Sequence, residues 1–234
     1  MDKSFDDFEV IILDGYGTLY DQEYELLNGA QEILKKSFSK AILLSNVGSL
    51  TGTQLTNKLQ KKKISPLPSR VITSLDLLLN YLRINNLDNI FHYGSFAAQE
   101  NIERSGFKIS QLDDSPETIV FTSLPSKNWI EETQNVLRII NNNQPKKLIL
   151  ANPDRLLPGK HVGINIGMMF DMITRDWPKE IKLFEIIEIG KPKLCRNDLL
   201  LKENEPILVV GDNIKTDGIL AKNLHADFMM VSNN

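Results

Sequence analysis

The sequence predicts an α/β protein built on a parallel sheet, with a second, smaller α/β unit inserted into it. Three observations carry this. Short apolar segments rich in β-branched residues alternate with helical patterns, which is the grammar of strand-helix-strand units. Three of these segments end in small or acidic residues, at the strand ends where ligands bind in such sheets. Over residues 82–182 the chain changes character, with more turn residues and a fresh set of strand candidates.

Taken in order, residues 8–13 (FEVIIL) read as a buried strand stopped by Asp14-Gly15. Residues 28–38 predict a helix, with Ala30, Ile33 and Leu34 at helical spacing. Residues 40–44 (KAILL) form a second buried strand, ended by Ser45-Asn46. Within the insert, residues 90–93, 118–122 and 147–150 are strand candidates, and residues 128–141 form a helix with Ile130, Val136, Leu137 and Ile140 roughly on one face. Residues 206–210 (PILVV) then run into Gly211-Asp212 as a further core strand. The expected organisation is a core of residues 1–81 and 183–234 carrying an insert of residues 82–182.

Composition narrows the function. The chain has 234 residues, 41% hydrophobic and 24% charged, which excludes disordered and collagen-like classes. Its 27 Lys plus Arg against 30 Asp plus Glu give a net charge of -3, without the basic excess of a nucleic-acid binder. The one cysteine, Cys195, can form no intrachain disulfide, which fits a reducing compartment. No apolar run approaches the ~20 residues that span a bilayer, and the acidic start MDKSFDDFEV is unlike a secretory signal. The expectation is a cytoplasmic protein with no membrane or nucleic-acid partner. The histidines, His92, His161 and His225, show no ligand spacing.

The polar residues at the strand ends fall into a pattern. Asp14-Gly15-Tyr16-Gly17-Thr18-Leu19, Leu43-Leu44-Ser45-Asn46, Gly190-Lys191-Pro192 and Gly211-Asp212, followed by Asp217, occur in that order. Together they resemble the four motifs of the haloacid dehalogenase superfamily of aspartate-nucleophile hydrolases. Gln54-Leu55, Val71-Ile72-Thr73-Ser74 and Ala151-Asn152-Pro153-Asp154-Arg155 resemble its class IIA, NagD-like branch, whose members include sugar-phosphate and nucleotide phosphatases. The resemblance runs from Val10 to Val231. It implies a Rossmann-like core with an inserted cap of the second type, and a small phosphorylated metabolite as substrate. A homodimer through the cap is a further implication.

By this resemblance Asp14 attacks phosphorus and forms an acyl phosphate, dividing one difficult displacement into two easier ones. Two anions must then be brought together, so cations are required. Mg²⁺ prefers hard oxygen ligands, which the resemblance places at Asp14, the Tyr16 carbonyl, Asp212 and Asp217, the last either near the ion or orienting Lys191. Lys191 and Ser45 hold the transferring group, and Gly17, Thr18, Asn46, Asn152, Asp154 and Arg155 contact substrate. Each residue taken singly has an ordinary reading. Asp before Gly at a strand end is turn chemistry, Ser45-Asn46 a helix N-cap, Lys191 a surface lysine, and residues 152–155 a structural turn.

One position departs from the pattern. The superfamily's phosphatases usually carry a second Asp two residues after the first, as acid and base; here it is Tyr16. A phenol with a pKa near ~10 is a poor substitute, and losing a positioned acid or base typically costs about 10² to 10⁴ in rate. The implied phosphatase is therefore weak. Two alternatives follow, a catalytically silent binder of phosphate or of a partner, and a 2-haloacid dehalogenase, whose halide leaves without a proton. Against the last, the long insertion lies between Ser45 and Lys191, whereas dehalogenases insert their cap between the first two motifs. The bulky stretch Gly163-Ile164-Asn165-Ile166-Gly167 also departs from the branch's small, Gly-rich segment.

Overall fold

In a computed structural model of the chain, the residues described are 4–111, 113–125, 128–157, 163–175 and 184–232. The chain opens on β1 (Val10–Asp14), α1 (Ala30–Ser37), β2 (Ala41–Ser45), α2 (Gly52–Lys61) and β3 (Arg70–Thr73). It continues through α3 (Ser74–Ile84), β4 (Asn89–Tyr93), α4 (Phe96–Arg104), β5 (Lys108–Ile109), β6 (Thr118–Phe121), α5 (Trp129–Asn143) and β7 (Lys147–Leu150). After β8 (Leu156–Leu157), β9 (Gly163–Ile164), α6 (Ile166–Arg175) and β10 (Glu185–Glu188) come β11 (Ile207–Gly211), α7 (Ile219–Asn223) and β12 (Asp227–Met230).

Two compact units result. The first comprises residues 1–45, 52–73 and 190–234, the second residues 46–51 and 74–189. The insert thus begins at Ser74 rather than at residue 82, because Leu75, Leu78, Leu79 and Leu82 of α3 join Ile90, Val120 and Ile149 in the second unit's core. At the other end it reaches Ile189 rather than residue 182, which itself lies outside the described residues.

The first unit holds a five-stranded sheet in the order β12-β11-β1-β2-β3, every pair parallel. Its three central strands are buried along their whole length, which is why they read as continuous apolar runs rather than alternating ones. Ile11 and Leu13, Ala41 and Leu43, and Leu208 and Val210 pack on Ala30 and Leu34 of α1 and Leu55 and Leu59 of α2. The chain runs from β1 to β2 and β3 on one side and returns as β11 and β12 on the other. The strand order therefore reverses beside β1, and loops leaving β1 and β11 diverge to open a crevice at their carboxyl ends. That topology places Asp14 and Asp212 at one spot.

The second unit repeats the plan. Its parallel sheet has the order β10-β7-β6-β4-β5. Phe91, Tyr93, Ile119, Phe121, Leu148 and Leu150 face α5 and α6, and the alternate residues Ile90, Val120 and Ile149 face α3 and α4. Phe121 meets Phe170 edge-on with ring centroids 5.0 Å apart. A short antiparallel pair, β8 and β9, stands apart. No helix among the described residues is long and apolar enough to cross a membrane.

Candidate active site

The first unit gathers the predicted polar residues at the carboxyl ends of its central strands. Asp14 is the last residue of β1, Ser45 the last of β2, and Asp212 follows β11. Asp14 and Ser45 are buried, as are Lys191 and Asp217. One oxygen from each of Asp14, Asp212 and Asp217 lies within 4.8 Å of the others.

Backbone geometry fixes the fourth motif. The Asn213 carbonyl accepts from the N–H groups of Thr216, Asp217 and Gly218 at 3.2, 2.7 and 3.4 Å, winding residues 214–218 into a π-helical turn, a form common at functional sites. The turn carries Asp217 back under the strand end, where its Oδ2 accepts from Asn213 N at 3.2 Å. A Cβ on Gly211 would lie 2.3 Å from that same oxygen, so only glycine leaves the carboxylate its place. Gly17 makes room in the same way. It has φ +81°, and a Cβ there would stand 2.4 Å from Asp212 Oδ2.

Lys191 crosses the cluster. Its Nζ donates to Asp14 Oδ1 and, at 2.7 Å, to Asp217 Oδ1. Thr18 Oγ1 donates to Asp14 Oδ2 at 3.1 Å and lies 3.5 Å from Asp212 Oδ1. Burial pushes the Asp14 carboxyl up to about 7; Lys191 opposes the rise, while Asp217 and Asp212 add to it. Burial and then Asp217 also raise Asp212. For Lys191 burial acts downward, but Asp14 and Asp217 outweigh it and hold the ammonium above its ordinary range. The lysine stays charged.

The donor set fits a hard divalent cation. All three groups are carboxylates, the ligands such ions take, and three carboxylates face one ammonium. Burial and mutual repulsion raise Asp14 and Asp212, as expected of a cluster whose negative charge Lys191 does not balance. Tyr16, whose carbonyl the motif assigns to the ion, lies on the loop leaving β1. Its ring is half-buried against the core and its hydroxyl bonds the Gln22 side chain. Burial raises the phenol further above its ordinary value.

A family model described as haloacid dehalogenase-like hydrolase matches residues 11–108. Among solved structures, NagD from Escherichia coli K-12 superposes with a TM-score of 0.74 at 21% identity, over 97% of this chain and 88% of that one. A 4-nitrophenylphosphatase from Thermotoga maritima gives 0.79 at 22% identity, over 98% and 88%. A glycerol phosphate phosphatase from Mycobacterium tuberculosis, in complex with magnesium, gives 0.77 at 18% identity, over 100% and 71%. The fold is that of the haloacid dehalogenase-like hydrolases. No curated protein matches the sequence.

The remaining predicted residues lie in the second unit. Asn46 Nδ2 donates to Asp154 Oδ1 at 2.9 Å, and Asp154 N to Asn152 Oδ1 at 3.1 Å. These three are therefore linked by hydrogen bonds, Asn46 reaching the turn that holds Asn152 and Asp154. Arg155 is tied to Asp171, donating from Nε at 2.6 Å and from Nη2 at 3.2 Å. Gly167 belongs to the same local structure, since a Cβ there would meet the carbonyls of Pro153 and Asp154 at 2.5 and 2.7 Å. Of the histidines, His92 is buried with Nε2 2.8 Å from Thr122 Oγ1, His225 lies in a turn, and His161 is outside the described residues.

One residue beside the site escapes sequence reasoning. Tyr20 is fully buried, its hydroxyl next to the Ser45 side chain. It sits in an irregular loop where neither a helical nor a strand period applies. The only signal is its place directly after the first motif.

Proposed function

We propose that this chain is a phosphatase-type hydrolase of the haloacid dehalogenase-like family, acting slowly on a small phosphorylated metabolite with Mg²⁺. The observation that carries the reading is the cluster itself: Asp14, Asp212 and Asp217 converge within 4.8 Å at a sheet crevice, with Lys191 between Asp14 and Asp217. The phosphatases that share this fold support the reaction class.

The ionised Asp14 carboxylate attacks phosphorus in line. The new bond is Asp14 Oδ–P, the bond broken is P–O to the leaving group, and the product is an acyl phosphate. Attack of water on that phosphorus then releases inorganic phosphate and regenerates the carboxylate. Lys191 and Ser45 stabilise the charge of the equatorial oxygens, and Asp217 keeps the ammonium aimed. Asp14 and Asp212 would hold the Mg²⁺, which when bound would supply positive charge against the phosphate dianion. Thr18 holds Asp14 Oδ2 in a defined direction. No carboxylate stands at position 16 to protonate the leaving oxygen, so turnover favours leaving groups that depart as stable anions.

Hydrolysis of p-nitrophenyl phosphate with added Mg²⁺ tests this. The wild type should release nitrophenolate, and Asp14→Asn should release none while keeping its circular-dichroism spectrum. Activity that survives the substitution refutes the assignment.

One observation favours a second reading. The Tyr16 hydroxyl is engaged by Gln22, which suits a protein that binds phosphate without turning it over. Calorimetric binding of a sugar phosphate with Mg²⁺, beside a turnover assay that stays silent, would select it. A dehalogenase is the weakest fit, because the three-carboxylate cluster suits a cation that such chemistry does not use; chloride release from a 2-haloacid without metal would revive it.

A further inference from the structure

Tyr20 presents an unexplained cost. Its side chain is buried, 2% exposed, and its hydroxyl has no hydrogen-bond partner among the described residues. An unsatisfied buried hydroxyl is costly, and phenylalanine would fill the same space without it. The polar group nearest this hydroxyl is the Ser45 side chain, so the orphan is one rotation of that serine away from a partner.

Its position is tightly defined. Tyr20 N donates to Gly15 O at 3.1 Å, and Tyr20 O accepts from Gly17 N at 2.9 Å. The ring stacks on Tyr24 with centroids 5.3 Å apart and planes 16° from parallel, and Lys58 Nζ caps the Tyr24 ring at 3.9 Å. These contacts drive the hydroxyl under the residue that follows Asp14. A Cβ on Gly15 would lie 2.4 Å from the Tyr20 oxygen, so Gly15 is the residue that lets the phenol in. There it adjoins the Ser45 hydroxyl and feels Asp14 and Lys191.

We propose that the Tyr20 hydroxyl is a positioning donor that hydrogen-bonds Ser45 Oγ and thereby turns the serine's own proton toward the transferring phosphoryl group. Serine has one proton and two lone pairs. Free to rotate, its hydroxyl satisfies whichever acceptor is nearest. With Tyr20 donating into one lone pair, the serine proton points away from the phenol, into the crevice, and donation in series strengthens it. Burial raises the phenol above its ordinary pKa, so it remains a donor across the working pH range. The role rests on the proposed phosphatase reading, since Ser45 must face a phosphoryl oxygen.

Tyr20→Phe deletes only the oxygen and separates positioning from packing. Urea stability should change little, because the ring and its packing are kept. Affinity for inorganic phosphate with Mg²⁺ present, and kcat/KM for p-nitrophenyl phosphate, should each fall about 5- to 30-fold, the loss of one hydrogen bond of roughly 1–2 kcal/mol. In a Ser45→Ala background the same substitution should change neither quantity, since the effect passes through Ser45.

Unchanged phosphate affinity in the single variant overturns the proposal, as does an equal loss in the Ser45→Ala background or a loss that merely tracks lowered stability. Where Asp14-dependent hydrolysis is present but insensitive to Tyr20→Phe, the proposal falls and the phosphatase reading stands. Where no hydrolysis occurs, the reading as an enzyme falls and the calorimetric phosphate titration still decides Tyr20. A wild type that binds no phosphate overturns both.

Discussion

Asp217 and Asp14 share one ammonium: Lys191 Nζ donates to Asp217 Oδ1 at 2.7 Å and to Asp14 Oδ1. The three residues are buried and come from separate parts of the chain, the end of β1, the turn before Pro192 and the π-helical turn after β11. Asp217 therefore does two things. It holds the lysine in place, and it keeps the Asp14–Lys191 pair from fully neutralising.

Lys191→Met should leave the carboxylates with no cation. Removing one partner of a buried pair typically costs about 3–5 kcal/mol, and the loss should be largest at pH 8, where the carboxylates are ionised, and smaller at pH 5, where protons neutralise them. Urea unfolding of both proteins at the two pH values measures this. An equal loss at both would show that the lysine contributes packing alone.

Asp14→Asn should stabilise the protein while ending its proposed activity. The folded carboxyl titrates at about 7 against an ordinary 3.8. Between those values the folded state keeps a proton that the unfolded chain has released, so stability falls as pH rises through the window and stays low above it. Asparagine releases nothing. In EDTA the variant should exceed the wild type by on the order of 1–4 kcal/mol at pH 8, with the difference closing toward pH 4. A variant less stable at pH 8 would contradict the burial penalty.

Tyr16→Asp should restore a proton donor beside the leaving group. Turnover of an alkyl phosphate, whose alkoxide needs a proton, should rise about 10²-fold or more. Turnover of p-nitrophenyl phosphate, whose leaving group departs as an anion, should change little. A parallel gain on both substrates would point to altered binding instead.

His92 should govern acid sensitivity in the second unit. Burial alone lowers its imidazole to about 4 from 6.5. Between pH 6.5 and 4 the unfolded chain binds the extra proton, so this contribution of roughly 3 kcal/mol is present above the window and lost as pH falls through it. The sign is opposite to that of Asp14. Wild type minus His92→Gln, followed by unfolding from pH 7 to 4, isolates the term; a difference that stays constant with pH would refute it.

The central strands were legible because both faces of a parallel sheet are buried, so β1, β2 and β11 appear as unbroken apolar runs that need no tertiary information. The strand candidates at residues 90–93, 118–122 and 147–150 became β4, β6 and β7 for the same reason. The edge strands did not stand out. Asp227–Met230 and Glu185–Glu188 are half-exposed, the first beginning on an acid and the second bounded by acids at both ends, which protects edges from mispairing and erases the apolar signal. Motif spacing marked Asp14, Ser45, Lys191, Asp212 and Asp217, whose carboxylates and ammonium the fold brings together. It could not reveal that Gly15 admits a phenol, or that Gly211 and Gly17 clear space for two carboxylates. Two of these are approaches within a tight loop or turn and one, Gly17 to Asp212, joins distant segments; only packing defines them.

The surplus of carboxylates over ammonium at this crevice has a practical consequence. Any cation or cation–anion pair that settles there binds the folded state alone and must raise the melting temperature, by an amount worth about 2.7 kcal/mol at a hundredfold excess over Kd. The natural ligand can therefore be sought by heating the protein beside candidate compounds, before anyone knows which bond it cuts.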